Sequence, residues 1–312
     1  MSKQSTLFFG AAVVDLITYT QRFPAPGETV SGKGFHKGCG GKASNACVMS
    51  AKLGLSASML AKIGDDIFGR ELLDNYKRFN INIDNVLLTK DIFTATAAIC
   101  VADSGQNTIV YVPGPTNQLT PDEIIAIEDQ LFNNCQLFMA TFECLPETLL
   151  TLLKIARKKG VRTLVNGAPP FPNNPLPEMY QLFDTFCVNE TEAMIMTGIN
   201  IESVDDGRKS CRELLKLGCG AVILTMGTNG AIYMDTNSDI YVPIQEKVTP
   251  VDTTGAGDAF MGALAYYMVC HPSLGIEEQM KRSCFIATRS VLKTGTQTSY
   301  PDKHELPRNL FM

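Results

Sequence analysis

Short β-branched or apolar runs alternate with amphipathic helical patterns along most of this chain, and that rhythm limits its architecture more than any other feature. Ser58–Ile63 reads as a strand and Phe68–Phe79 as a helix. Leu137–Thr141 reads as a strand, followed by a helix over Pro146–Lys159 with Leu149, Leu150, Leu153 and Ile155 as its apolar residues. Arg162–Asn166 is a strand ending at a Gly-Ala-Pro-Pro turn, and Thr185–Val188 is a short one. Ser203–Leu217 is a helix closed by Gly218, and Ala221–Thr225 is a buried strand. Strands separated by whole helices are joined by crossovers, so the pattern predicts parallel βαβ units in a doubly wound α/β sheet. The N-terminal apolar run through Tyr19 is interrupted by Asp15 and has no basic cluster before it; we read it as the first buried strand rather than an export signal.

Two stretches break the rhythm. Glu28–His36 and Thr94–Val112 read as antiparallel strands, the latter as TATAAICVAD and NTIVYV joined by a Ser-Gly-Gln turn. They suit either a small β-element set apart from the main sheet or an ordinary edge hairpin. No repeat, low-complexity segment or linker interrupts the chain, so we expect one α/β domain over residues 1–312 with a small β insertion.

Composition removes several classes. A hydrophobic fraction of 45% with 19% charged residues supports a sizeable core and argues against disorder. A net charge of -5 without a Lys/Arg block makes nucleic acid an improbable partner, because that affinity rests on phosphate neutralisation. No run of 18 apolar residues suggests a membrane span. The 10 cysteines show no C-x-x-C pair and sit among apolar neighbours, as reduced core residues of a cytosolic protein do. With only 3 histidines, a multi-histidine metal site is improbable.

Four strings carry chemistry. The strongest is Asp252-Thr253-Thr254-Gly255-Ala256-Gly257-Asp258-Ala259-Phe260, which opens an apolar helix. Glycines at a helix start let backbone amides approach a ligand where the dipole favours negative charge, so Gly255, Ala256 and Gly257 suit an anion hole. Asp258 falls in the first turn, in reach of a hydroxyl attacking the same anion. A plain helix-capping Asp is the simpler alternative. The second string, Gly38-Cys39-Gly40-Gly41-Lys42-Ala43-Ser44-Asn45, leads into a helix running to Leu53. Its glycines open the backbone, and Lys42 and Asn45 supply donors for hydroxyls. Gly38-x-Gly40-x-x-Ala43 also fits a loose dinucleotide fingerprint, whereas a Walker A loop is absent because His36 and Ala43 stand at required positions. The third, Asn189-Glu190-Thr191-Glu192, follows a strand end, where it suits a hydrated magnesium ion or a helix cap equally well. The fourth, Thr225-Met226-Gly227-Thr228-Asn229-Gly230, is a Gly-rich turn after a buried strand, placed to receive a nucleotide.

In this order, the strings resemble the phosphofructokinase-B group of sugar kinases and, within it, the ribokinase family, over about Gly10–Ser299. The likeness includes Gly10-x-x-x-x-Asp15, Phe23–Val30 (FPAPGETV), Gly40-Gly41-Lys42-x-x-Asn45, Lys62–Gly69 (KIGDDIFG), Asn189–Ala193 and Asp252–Phe260. Gly295–Pro301 (GTQTSYP) resembles a C-terminal signature of the animal members. The resemblance implies a three-layer α/β/α sandwich with a central, mostly parallel sheet and a small β-sheet lid, contributed by about residues 16–37 and 94–113. It implies a homodimer through the lid strands, a cytoplasmic location with the nucleus left open, and ATP-dependent phosphorylation of D-ribose at its 5-hydroxyl. Carried over residue by residue, it implies Asp258 as general base, with Gly255, Ala256 and Gly257 as anion hole. Val13, Asp15, Gly41, Lys42, Ala43, Ser44, Asn45 and Glu143 match sugar-binding positions. Asn189, Thr225–Gly230, Gly257, Asp258 and Cys284 match nucleotide contacts, and Glu192 matches a Mg2+ contact through water. Asp252, Thr254, Ser290, Lys293, Gly295 and Ser299 match a K+ site. The chain departs from the family pattern at Ala43 and Ser44 (GGKASN for GGKGAN), at Thr116, at Asn166–Pro169 and at Val13. A kinase of another sugar or of a nucleoside, a silent sugar-binding relative and a dinucleotide-dependent oxidoreductase stay open at this point.

Overall fold

The computed structural model describes residues 5–173 and 176–312. In chain order the strands and helices begin with β1 (Ser5–Phe9), β2 (Val13–Thr20), β3 (Gly34–Gly40), α1 (Lys42–Lys52), β4 (Ser56–Gly64), α2 (Ile67–Arg78), β5 (Val86–Thr89), β6 (Ala95–Ala102) and β7 (Asn107–Val112). They continue with α3 (Pro121–Ala126), β8 (Cys135–Thr141), α4 (Pro146–Lys158), β9 (Arg162–Asn166), β10 (Thr185–Asn189), α5 (Glu190–Thr197), α6 (Val204–Leu215), β11 (Ala221–Thr225), β12 (Ala231–Asp235), β13 (Asp239–Val242), α7 (Ala256–Cys270) and α8 (Ile276–Ser290). Nine strands form one sheet in the order β13-β12-β11-β10-β9-β8-β1-β4-β5. Its pairs are parallel from β11 through β5; the hairpins to β12 and β13 add two antiparallel strands at one edge. The alternation of strand and helix foretells the parallel part. The Gly-rich turn after β11 is too short for a crossover and reverses the chain instead.

Side chains of period two divide between two cores. Phe8, Met59, Leu164 and Ile223 face one, shared with helices α1, α7 and α8. Leu7, Phe9, Leu60, Val165 and Leu224 face the other, shared with α4 and α6. The result is a three-layer α/β/α sandwich. Helix α7 is buried on every side from Ala259 to Val269, as expected of a helix apolar all round. It lies tight on α1 because Gly262 has no side chain: a Cβ there would come within 2.7 Å of Met49 Cβ and closer still to the Ala46 carbonyl. Ser50 Oγ donates to the Gly262 carbonyl at 2.6 Å across the same contact.

A separate four-stranded sheet has the order β3-β2-β6-β7. The expected Thr94–Val112 hairpin is present as β6 and β7, antiparallel about Gly105. Two expectations are corrected. The N-terminal apolar run is two strands in two sheets, because the chain leaves the main sheet at Gly10 and enters the small one at Val13. The strand expected at Glu28–His36 begins only at Gly34 and runs to Gly40. Prolines 24 and 26 deprive the preceding segment of ladder donors, and the Glu28 carboxylate closes a turn, accepting from Arg22 Nη1 at 2.7 Å and the Ala25 N–H at 2.9 Å. The KIGDDIFG string ties the two sheets. Asp66 caps α2 and also accepts from the Thr94 N–H at 2.7 Å and Oγ1 at 2.8 Å, where β6 begins.

Candidate functional site

The site lies at the carboxyl ends of the parallel strands, where backbone loops open between helices. Asn166, Asn189 and Thr225 end β9, β10 and β11 on the wall of a cavity of about 160 Å3, and Gly255, Ala256, Gly257 and Asp258 form its opposite side. Gly255 precedes α7 in the left-handed conformation, φ 76°, with no side chain capping the helix. The Ala256 N–H bonds the Thr253 carbonyl at 3.2 Å, the Gly257 N–H has no partner among the described residues, and the helix dipole favours an anion there. Tyr300 Oη donates to the Gly255 carbonyl at 3.0 Å and braces this start.

Residues far apart in sequence converge beside it. Asn45 Nδ2 on α1 donates to Asp258 Oδ2 at 2.8 Å. The Lys42 backbone N–H donates to Glu143 Oε2 at 2.8 Å. The Asp15 carboxylate, from β2, covers Gly40, where a Cβ would overlap it. Burial pushes Asp15 up to about 6, with the Asp258 charge adding to it. Burial likewise raises Glu143 to about 7 despite the opposing Lys42 ammonium and amide. Asp258 is raised by burial, against Lys42 and the Asn45 bond. Burial disfavours the Lys42 ammonium, yet Asp258, Glu143 and Glu192 outweigh it and hold Lys42 above its ordinary value. Three carboxyl groups raised above their ordinary range by burial surround one lysine, an arrangement found where protons are moved.

Not every expected sugar residue sits in this group. Ser44 is fully buried behind Asn45, its Oγ accepting from Tyr76 Oη at 2.9 Å and from Gln297 Nε2 at 3.2 Å. The Ala43 methyl lies against Gly10 and has no exposed surface. Val13 packs with Ala11, Ala95 and Ala97 in the small sheet's own cluster. Thr116 is also buried, donating to the Lys62 carbonyl at 2.9 Å.

A larger cleft of about 660 Å3 joins the first cavity at Asn189, Thr225, Ala256 and Gly257. Gly227, Thr228, Asn229, Gly230 and Cys284 line it, whereas the Met226 side chain is only 2% exposed and packs into the core beneath. Asn189 and Glu192 form a complete capping box: Asn189 Oδ1 accepts from the Glu192 N–H at 2.9 Å, and Glu192 accepts from the Asn189 N–H and Nδ2, each at 2.8 Å. Both also line the small cavity, so the cap and the ligand wall are the same residues. Burial raises Glu192, opposed by the Asn189 bonds and Lys42.

Behind α7 a third group assembles. Asp252 Oδ1 accepts from the Thr254 N–H and Oδ2 from the Gly295 N–H, both at 2.9 Å. Burial works against its charge, but these bonds prevail and hold Asp252 below the usual carboxylate range. Ser290 and Ser299 are 1% exposed, with hydroxyls donating to the Ala287 and Thr296 carbonyls at 2.8 Å. The Lys293 ammonium is directed to Glu305 at 3.3 Å. Among the described residues, no three His, Cys, Asp or Glu side chains gather as a metal cluster.

Sequence reasoning overlooked Asn166, Thr253 and Met261 in the small cavity and Ile244, Val248, Phe260 and Thr288 in the cleft. Asn166 carried a signal as a polar residue ending a buried strand, and Thr253 and Phe260 lay inside the Asp252–Phe260 string without being singled out; Met261, Ile244 and Val248 look like any core position.

Comparison with known proteins agrees with this geometry. A family model described as "pfkB family carbohydrate kinase" matches residues 3–303. The chain is 40% identical to ribokinase from Mus musculus over 304 residues, covering 97% of this chain and 93% of that protein. It is 37% identical to deoxyribokinase from Salmonella typhi, covering 94% of each. In fold it is similar to the solved structure of Arabidopsis thaliana ribokinase complexed with ribose and ATP, with a TM-score of 0.88, 24% identity and coverage of 98% of this chain and 97% of that one.

Proposed function

The chain belongs to the pfkB family of carbohydrate kinases, and from that premise we propose that it phosphorylates D-ribose at the 5-hydroxyl with ATP, giving D-ribose 5-phosphate and ADP. One observation carries the reading: Asp258, oriented by Asn45, stands on the wall of the same cavity as Gly255, Ala256 and Gly257. A hydroxyl on Asp258 and a γ-phosphoryl group on the amides would meet there in line.

In this mechanism Asp15, Gly41, Lys42, Asn45 and Glu143 bind and orient the sugar. Asp258 accepts the 5-hydroxyl proton as that oxygen bonds to the γ-phosphorus and the bond to the β-phosphate oxygen breaks. The amides of Gly255–Gly257 take the charge of the transferring group, and Lys42 balances it from the sugar side. The ADP portion occupies the cleft over Thr225–Gly230. Glu192 and Asn189 are suited to hold a magnesium ion through water, since both line the cavity and Glu192 brings a carboxylate; such an ion would supply positive charge to the phosphates. Asp252, kept ionised, with Thr254, Ser290, Lys293, Gly295 and Ser299 mainly through backbone carbonyls, suits a potassium ion that supplies charge behind the anion hole.

The small sheet is assigned as the lid. Its outer strand β7 exposes Ile109, Val110, Tyr111 and Val112, supporting a homodimer in which two lids meet. Ten free cysteines support a cytoplasmic location; no described helix is long and apolar enough to cross a membrane.

The dinucleotide alternative weakens because Gly38-x-Gly40 ends β3, an antiparallel strand of the small sheet, not the first strand of a βαβ unit. Ala43 and Thr116, the departures that favoured another sugar, are both buried with their side chains on protein neighbours. A panel of D-ribose, 2-deoxy-D-ribose, fructose and adenosine with ATP and magnesium, with and without potassium, tests the reading. The expected outcome is highest kcat/KM for D-ribose and a rise with potassium. Preference for another member of the panel overturns the substrate; binding without transfer overturns the enzyme.

A further inference from the structure

Gln297 lies in the GTQTSYP segment and is 6% exposed, touching neither of the two cavities. Its amide sits in a directed series of hydrogen bonds. Asn75 Nδ2, on α2, donates to Gln297 Oε1 at 2.7 Å. That bond commits the Gln297 oxygen as acceptor, so its Nε2 faces the other way and donates to Asn45 Oδ1 at 2.9 Å and to Ser44 Oγ at 3.2 Å. Asn45 Oδ1 is thereby committed as acceptor, and its Nδ2 donates to Asp258 Oδ2 at 2.8 Å.

The two ends of a carboxamide have nearly the same shape, so packing alone does not choose between Asn45 and its flipped form; the bonding partners choose. A flip at Asn45 would set two nitrogens against each other at Gln297 and an oxygen against the Asp258 carboxylate. Each amide in the series fixes the polarity of the next. We propose that Gln297 is a positioning residue: it holds Asn45 so that an N–H always faces Asp258, and so keeps Asp258 an acceptor aimed at the sugar hydroxyl. The inference rests on the kinase reading above. The same short turn reaches the other side of α7 through the Gly295 N–H on Asp252 and Tyr300 Oη on the Gly255 carbonyl, so one segment sets both the base and the anion-hole start.

The test reads Asp258 directly in the ligand-free protein, so that a wrong substrate does not obscure it. Asp258 faces Lys42 on α1, Asp15 on β2, Glu143 after β8, Glu192 on α5 and Tyr300. None of these is altered by Gln297→Met, a change of similar length that cannot donate. Carboxyl 13C NMR of aspartate-labelled protein, assigned with Asp258→Asn, is expected to show Asp258 titrating about one unit higher in Gln297→Met. In turnover, kcat falls about tenfold, the acid limb of its pH profile moves up with the titration, and KM for ATP stays. Asn75→Leu frees the far end of the series and gives a smaller shift of the same sign; it serves as the reading if Gln297→Met does not fold. Tyr76→Phe removes a hydroxyl bonded to Ser44 outside the series and is the comparison for mere loss of packing. If Gln297→Met or Asn75→Leu loses stability as Tyr76→Phe does while Asp258 titrates and turns over unchanged, the proposal is overturned. Absence of ribose turnover in the unaltered protein with the NMR shift present overturns the substrate and leaves Gln297 in its role.

Discussion

Two aspartates of one string, on two sides of the start of α7, meet opposite fates. Asp258, on the cavity side, is raised by burial, with the Lys42 charge and the Asn45 amide bond opposing. Asp252, six residues earlier, is held low against burial by the Thr254 hydroxyl and the backbone amides of Gly295 and Thr254. The residue type is the same; what differs is whether burial or the hydrogen-bond donors around the carboxylate prevail. The first arrangement suits a group that must take up a proton, and the second a permanent charge.

The largest expected break in the comparison is Asp258→Asn, which removes the proposed base. Turnover with ribose falls by roughly 10²–10⁴-fold with the melting curve near that of the parent, measured by coupled ADP release and calorimetry. Gly255→Ala comes next, because it attacks the ground both aspartates share. Its Cβ would come within 2.7 Å of Tyr300 Oη on a backbone with φ 76°. We expect a loss of about 1–2 kcal/mol in denaturant titration and a fall in kcat exceeding the lost folded fraction. Asp252→Asn keeps one acceptor but loses the charge, costing about 1 kcal/mol and weakening potassium activation while leaving the acid limb of the pH profile in place.

The smallest effect sharpens the contrast by sign. Glu143 rises from 4.5 to about 7 on folding, so the folded protein binds the proton more tightly than the unfolded chain. Its stabilisation is complete below about 4.5 and is lost as pH rises through 7. Asp252 is depressed, so its contribution is present above its ordinary 3.8 and is lost on acidification. Ligand-free denaturation curves between pH 4.5 and 7.5 should show Glu143→Gln flattening a decline that Asp252→Asn leaves unchanged. A parent protein that gains stability over that range relative to Glu143→Gln contradicts the assigned burial.

Much of the fold was legible because its cause is local. The helix over Pro146–Lys158 and the strand over Arg162–Asn166 follow from periodicity and from proline and glycine punctuation, and they occur at the expected places within a residue. The main misreadings came where a local pattern is shared by two outcomes. Residues 5–20 are apolar enough for one strand, and only the packing of Gly10 against Thr141 and Ala43 divides them. At Asn189–Glu192 the cap and the ligand wall were posed as alternatives, and the fold makes them one arrangement. Of the residues expected to bind the sugar, Lys42, Asn45, Asp15 and Glu143 come together, while the side chains of Val13, Ala43 and Ser44 lie on protein neighbours.

By itself the sequence determined the layered α/β class, the glycine-flanked helix start at Gly255–Gly257, and the set of groups able to move a proton. These depend on residues near one another in the chain, where backbone sterics and capping act directly. Only the tertiary structure decided which groups meet and in what state: Asn45 lies 213 positions from Asp258 and Gln297 252 from Asn45. Such distances are closed by the glycine contact between α1 and α7 and by the C-terminal turn. Burial and hydrogen-bond polarity, which then set each carboxylate's charge, exist only once those surfaces have met.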